Sequence, residues 1–161
     1  MNIDRVKSVN IWPYVGYYIL TTIVVTIAFA VLFALVPSPP EGLAKASGYA
    51  INIAATMFTY SKFIRNNVRL FNRNEYWKIV SFSTLAACLI AAVQILITFG
   101  SRGGGQENYG SIPPVAWIGI LLFASILVFV LNIAGYSNRF GNTMLKAELA
   151  RRTRIDAETF R

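Results

Sequence analysis

The side chains able to do acid–base, nucleophilic or metal chemistry are few: seven Asp and Glu, one Cys and no His, set against fifteen Lys and Arg. The acids are Asp4, Glu41, Glu75, Glu107, Glu148, Asp156 and Glu158. All are expected in loops or tails, and none forms the facing pair that general acid and base work requires. Zinc and haem need clusters of His, Cys or carboxylate, so a lone Cys88 offers no ligand set and no cofactor is expected. Nor can one cysteine close an intramolecular disulfide. Gly103, Gly104 and Gly105 in SRGGGQENYG could cradle a phosphate only between a strand and a P-loop lysine and hydroxyl, which this sequence lacks, so a connecting loop is expected. The chain is not expected to be an enzyme.

What remains is a set of amides and hydroxyls in apolar surroundings. In SGYAINIAATMFTYSKF, Gly48, Asn52 and Thr56 recur every fourth residue, and Ser83, Ala87 and Ala91 repeat the spacing with Gln94 a turn later. Such residues share one helical face, small ones let a neighbouring backbone come close, and an amide can bond across the contact for roughly 1 kcal/mol. We expect the two stripes to form the tightest seam of the fold, closing an antiparallel hairpin through the short loop between them. A subunit interface is the other use of such residues. Thr21, Thr22 and Thr26 can return their hydroxyls to their own helix. Asn52 lies ten residues from Lys62 and Gln94 sixteen from Lys78, a height difference of about 9 Å on helices, so no direct bond is expected. Asn132, seven residues from Arg139, falls at a third depth.

These groups sit in four uncharged apolar runs, 11–36, 46–60, 79–99 and 115–136. The chain is 55% hydrophobic and 14% charged, with a mean hydropathy of +0.52, a composition that points to lipid as its main solvent. Crossing a hydrocarbon core takes roughly 20 residues of helix, a length three runs reach alone. Lys45 and Lys62 flank the shorter one, and their stems can snorkel to the headgroups. A single all-α domain with four transmembrane helices is expected, spanning about 11–36, 44–62, 77–99 and 115–136. Membrane strands would alternate polar and apolar positions, which these runs do not. The first run is long for the apolar region of a signal peptide and is expected to remain as a span. It opens with Trp12, Tyr14, Tyr17 and Tyr18, expected as an interfacial aromatic belt.

No Asp, Glu, Lys, Arg or His lies within the runs, whereas proton relays and coupled transporters require one. A pore lined by Thr22, Thr26, Asn52, Thr56, Gln94 or Ser125 stays open as a possibility. In a four-span topology 13 Lys and Arg fall on one side and only Lys45 and Arg102 on the other. The positive side is cytoplasmic, so both termini and the loop 61–78 are expected inside.

That loop, SKFIRNNVRLFNRNEYWK, holds Lys62, Arg65, Arg69, Arg73 and Lys78. If the second helix runs on to about Phe71, three arginines line one side of it. Asn74 is expected as N-cap and Glu75 in the first turn of the third helix. Glu75, the loop's one acid, would fix the turn by pairing with Arg69 or Arg73, and Trp77 with Lys78 would anchor the interface. Attraction to anionic headgroups, about 1 kcal/mol per basic residue, accounts for this charge, and no nucleic acid is expected as partner. After the fourth helix, 137–161 reads as a basic tail: a break at Gly141, then a short amphipathic helix to about Arg154 lying on the inner leaflet.

The order Gly48, Asn52, Lys62, Phe63, Arg69, Asn74, Glu75, Trp77 resembles the small four-span bacterial inner-membrane proteins grouped with AciT. The detailed resemblance covers about 45–100, and it implies a role in envelope integrity without catalytic residues. Residues and resemblance together lead us to expect a non-enzymatic inner-membrane protein that binds lipid or a membrane partner, as an oligomer. The alternatives are an immunity protein against a membrane-acting toxin and a small channel or transporter.

Overall fold

A computed structural model describes residues 8–36, 40–101 and 114–159, and all regular structure in them is helical. The elements are α1 (Trp12–Leu35), α2 (Glu41–Asn67), α3 (Arg73–Ser101), α4 (Pro114–Gly135) and α5 (Asn138–Thr159). Three stretches are long and apolar enough to cross a membrane: Trp12–Leu35, Arg73–Ile97 and Ile118–Ile155, the last running through the irregular residues Tyr136 and Ser137 between α4 and α5. α2 is not among them. It forms where the second span was expected, but Ser47, Asn52, Thr56 and Thr59 dilute its apolar run.

α1 to α4 make an up-down-up-down bundle. The start of α1 lies beside the start of α3, where the Val9 N–H donates to Glu75 and Trp12 meets Phe82. It also lies beside the end of α2, where Asn67 donates to the Tyr14 hydroxyl. Around the bundle α1 packs on α2, α2 on α4, α4 on α3 and α3 on α1, with α1 and α2 in closest association. α2 and α3 are therefore diagonal, and the expected hairpin seam between them is not formed. Small residues at Ala55 and Ala86 make room for a third party, the fully buried ring of Tyr18 from α1, which packs between them.

The core is concentrated at one end. Phe63, Phe71, Tyr60 and Tyr136 build an aromatic cluster, with ring centroids 3.9 Å apart for Phe63–Phe71 and 5.0 Å for Tyr60–Phe71, and Tyr14, Ile64, Ile79 and Val80 pack around it. All nine buried residues of this cluster come from the first half of α1, the second half of α2, the turn after it, the first turns of α3 and Tyr136, just after α4. Tyr14 and Tyr18 belong to this interior and not to an interfacial belt; only Trp12, 61% exposed, and the half-buried Tyr17 face outward. Toward the other end, Leu20, Ile27, Val31, Leu89, Leu96 and Phe123 are exposed, as side chains facing lipid would be.

The two close approaches of α2 to the C-terminal half need glycine. A Cβ on Gly135 would lie 2.5 Å from the Thr56 methyl carbon, and one on Gly141 would collide with the Tyr60 hydroxyl. Gly141 therefore lies inside α5 as a contact point and is not the expected break, which falls at Tyr136–Ser137 instead. Nor is α5 short: its 22 residues continue past Arg154 to Thr159. It docks on α2, with Met144 and Leu145 against the core and Arg152 donating to the Arg65 carbonyl at 2.6 Å, an acceptor the helix end leaves unpaired.

Candidate functional site

α1 positions Tyr18, Thr22 and Thr26 on one face by their spacing of four, and α2 presents Gly48 and Asn52 by the same rule. α3 adds Ala87, Ala91 and Gln94, and α4 contributes Ala124, Leu127, Val128 and Leu131. Together they bound a cleft of about 300 Å³ between all four helices. Five of the seven stripe residues, Gly48, Asn52, Ala87, Ala91 and Gln94, thus come together, but around a space and not in a seam. The reason is steric: small side chains on diagonally opposed helices leave a gap that no neighbour fills, and no other heavy atom lies within 4 Å of where a Gly48 Cβ would be. The other two, Thr56 and Ser83, lie deeper, in the packed half.

At the floor of the cleft the polar groups form a connected set. Asn52 Nδ2 donates to the Tyr18 hydroxyl at 2.8 Å, and the Thr56 hydroxyl lies 2.8 Å from the Asn52 backbone carbonyl oxygen and 3.2 Å from Asn132 Oδ1. Asn132 Nδ2 in turn donates to Thr84 at 3.0 Å, while Ser83 and Tyr136 share a bond of 3.1 Å. Asn132 is fully buried in this network, joined to Asn52 through Thr56 despite their separation along the helices. Among the described residues three buried side-chain atoms have no hydrogen-bond partner, Asn52 Oδ1, Thr59 Oγ1 and the Tyr60 hydroxyl. Thr22 returns its hydroxyl to the Tyr18 carbonyl, as its helix position favours.

The cleft is not sealed. A groove of about 330 Å³ between α1 and α3 shares Thr26, Ile90 and Gln94 with it and is bounded outside by Ile23, Ile27, Leu89 and Val93. Among the described residues, none that lines either space carries a charge. At the opposite end the aromatic cluster closes the bundle, so the hydroxyls and amides lead into a blind space.

The basic loop makes a separate, compact structure. α2 stops at Asn67, so Arg69 sits in the turn and Arg73 opens α3; the three arginines do not line one helix side. Asn72, not Asn74, caps α3: its side chain accepts from the Arg73 N–H at 2.6 Å, and its own N–H donates to Glu75 at 2.9 Å. Glu75, 3% exposed, receives both arms of Arg69 at 2.8 Å as well as the Val9 N–H at 2.7 Å. The hydrogen bonds to Glu75 raise the Arg69 pKa further above its ordinary value. Val68 caps α2 at φ 51°, the left-handed region, which a β-branched residue occupies only under strain. Lys62 lies over the Phe58 ring, Trp77 packs edge-on against Tyr76 and is half exposed, and Arg65 and Lys78 are exposed.

Sequence reasoning gave Tyr18, Asn132 and Gly141 other places and did not single out Gly135. A signal was present in the spacing of Tyr14, Tyr18 and Thr22, which places all three on one face of α1. Gly135 and Gly141 lie on either side of a helix break whose position the sequence does not mark. Comparison with protein-family models, curated proteins and solved structures finds no match for this chain.

Proposed function

We propose that this chain is a non-enzymatic four-span protein of the bacterial inner membrane, cytoplasmic at both termini and at the turn 61–78, that holds a membrane amphiphile in its cleft and so supports envelope integrity. The observation that carries this reading is the blind cleft joined to a lipid-facing groove and lined by carbon, hydroxyl and amide groups. Binding is the use such a lining favours. Acid–base, relay and nucleophilic chemistry would each call for other side chains. The volume of about 300 Å³ falls at the lower end of the range of roughly 300–1,000 Å³ usual for ligand sites.

α2 serves as the fourth span in this reading because Asn52, Thr56 and Thr59 turn toward protein, which keeps their polar groups out of contact with lipid. The basic residues around the packed end support the orientation through the positive-inside bias. Likeness to the AciT group agrees with an envelope role, and lipids together with a second membrane protein or a further copy of the chain are the partners we assign. A transmembrane pore has less support, since the aromatic cluster fills the bundle where a path would have to continue. The immunity reading draws on no particular feature of the described surface.

The test is native mass spectrometry of the gently extracted protein, beside a deletion strain complemented with wild type or Gly48→Leu. We expect retained lipid on the wild type and its loss on Gly48→Leu, which fills the cleft, with detergent sensitivity following the same order. Wild-type protein that carries no lipid, from a strain whose envelope is indifferent to deletion, refutes the proposal.

A further inference from the structure

We infer that the cleft selects an uncharged lipid bearing a hydroxyl, whose O–H donates to Asn52 Oδ1 and whose chain leaves the bundle between α1 and α3. The inference rests on the reading of the cleft as a lipid site and adds the chemical class of its occupant.

Three observations converge on it. Asn52 is only 6% exposed, one N–H of its side-chain amide donates to the Tyr18 hydroxyl, and its side-chain oxygen Oδ1 is buried without a donor while the residue lines the cleft. A buried acceptor left unmade carries its full desolvation cost, and in hydrocarbon no bulk water compensates it. The occupant must therefore bring a donor. The described residues around the cleft include no cation to receive a phosphate and no acid to receive an ammonium, so a charged headgroup at that depth would be desolvated without a counter-ion. Lastly, the continuation of the cleft is a groove of about 330 Å³ walled by Ile23, Ile27, Leu89 and Val93, open on the side where those residues are exposed. An acyl or prenyl chain fits that wall, and a small polar solute does not. A diacylglycerol or a long-chain alcohol satisfies all three conditions.

The experiment uses the full chain in detergent and three probes compared by native mass spectrometry: dioleoylglycerol, its methyl ether, and dioleoylphosphatidylcholine. Dioleoylglycerol is expected to bind about tenfold more tightly than the ether, the factor a net hydrogen bond is worth. Asn52→Leu should abolish that preference. Gly48→Leu, placed where a side chain meets open space, should weaken all binding with the fold unchanged as judged by circular dichroism. The alcohol-to-ether ratio is measured on wild type, so the inference stands or falls even if Asn52→Leu misfolds. Equal binding of alcohol and ether, or a preference for phosphatidylcholine, overturns it. If these lipids still depend on the Gly48 site, the lipid cleft survives and only the hydroxyl assignment falls. Should no probe bind and Gly48→Leu change nothing, the cleft holds water alone and both readings fall.

Discussion

Replacing a helical glycine by alanine ordinarily stabilises a protein by about 1 kcal/mol, because alanine has less backbone entropy to lose. At Gly141 the sign should reverse. A Cβ there would run into the Tyr60 hydroxyl and lie 2.5 Å from the Tyr60 ring carbon Cζ and 2.8 Å from a Leu70 methyl. Tyr60 cannot step aside: it is fully buried, stacked on Phe71 and edge-on to Tyr136. α5 must then lift from α2, or the ring must leave its place, an overpacking penalty of about 1–3 kcal/mol. Set against the propensity gain, Gly141→Ala should lose up to about 2 kcal/mol, a fall of up to about 8 °C in Tm for a chain of this size. The assay is thermal unfolding in detergent followed by circular dichroism, with Gly48→Ala as the control. The control, with nothing within 4 Å, should gain about 1 kcal/mol. Tyr60→Phe removes the colliding oxygen, which has no hydrogen-bond partner to lose, so the loss at Gly141 should shrink in that background. A Gly141→Ala protein that melts above wild type, or whose deficit ignores Tyr60→Phe, would refute the docking of α5 on α2.

Glu75→Gln should destabilise by about 2 kcal/mol in the same melts, since it removes a carboxylate that accepts from Arg69, Val9 and Asn72. Arg69→Lys should recover only part of the wild-type stability, because an ammonium cannot engage both carboxylate oxygens as the guanidinium does. Val68→Asn should raise stability by about 1 kcal/mol, as asparagine tolerates the left-handed conformation that valine resists. Asn132→Leu should lose about 1 kcal/mol, a small deficit because Thr56 and Thr84 each keep a bond to a carbonyl of their own helix.

The helices were legible because their apolar runs are long and carry no charge, so 11–36, 79–99 and 115–136 correspond closely to α1, α3 and α4. The extent of α2 was not, because its polar residues interrupt the run while facing protein, and hydropathy does not distinguish the two environments. Glu75 stood out as the only acid among five cations, which made its pairing with an arginine readable before any geometry. Which asparagine caps α3 was not, since Asn72 and Asn74 are chemically alike and only the chain path separates them. The stripe of Gly48, Asn52, Ala87 and Ala91 was found by spacing, but spacing says only that residues share faces. Whether two such faces meet or stand apart depends on the order of helices around the bundle, in which the Tyr18 ring packs with Ala55 and Ala86.

The concentration of the core at one end has a mechanical consequence. If the aromatic cluster acts as a pivot, the outer segments of α1 and α3 become levers. α3 continues 14 residues beyond Ala87, about 21 Å of rigid rod. A rotation of only about 5° at the pivot moves the tip of such a rod by about 2 Å, enough to widen or shut the mouth between Ile27 and Val93 with the aromatic cluster left in place. In the proposed reading, a bilayer protein with a lipid in its cleft, bilayer thickness and lateral pressure would act on those tips and so set how readily the cleft admits or releases its occupant.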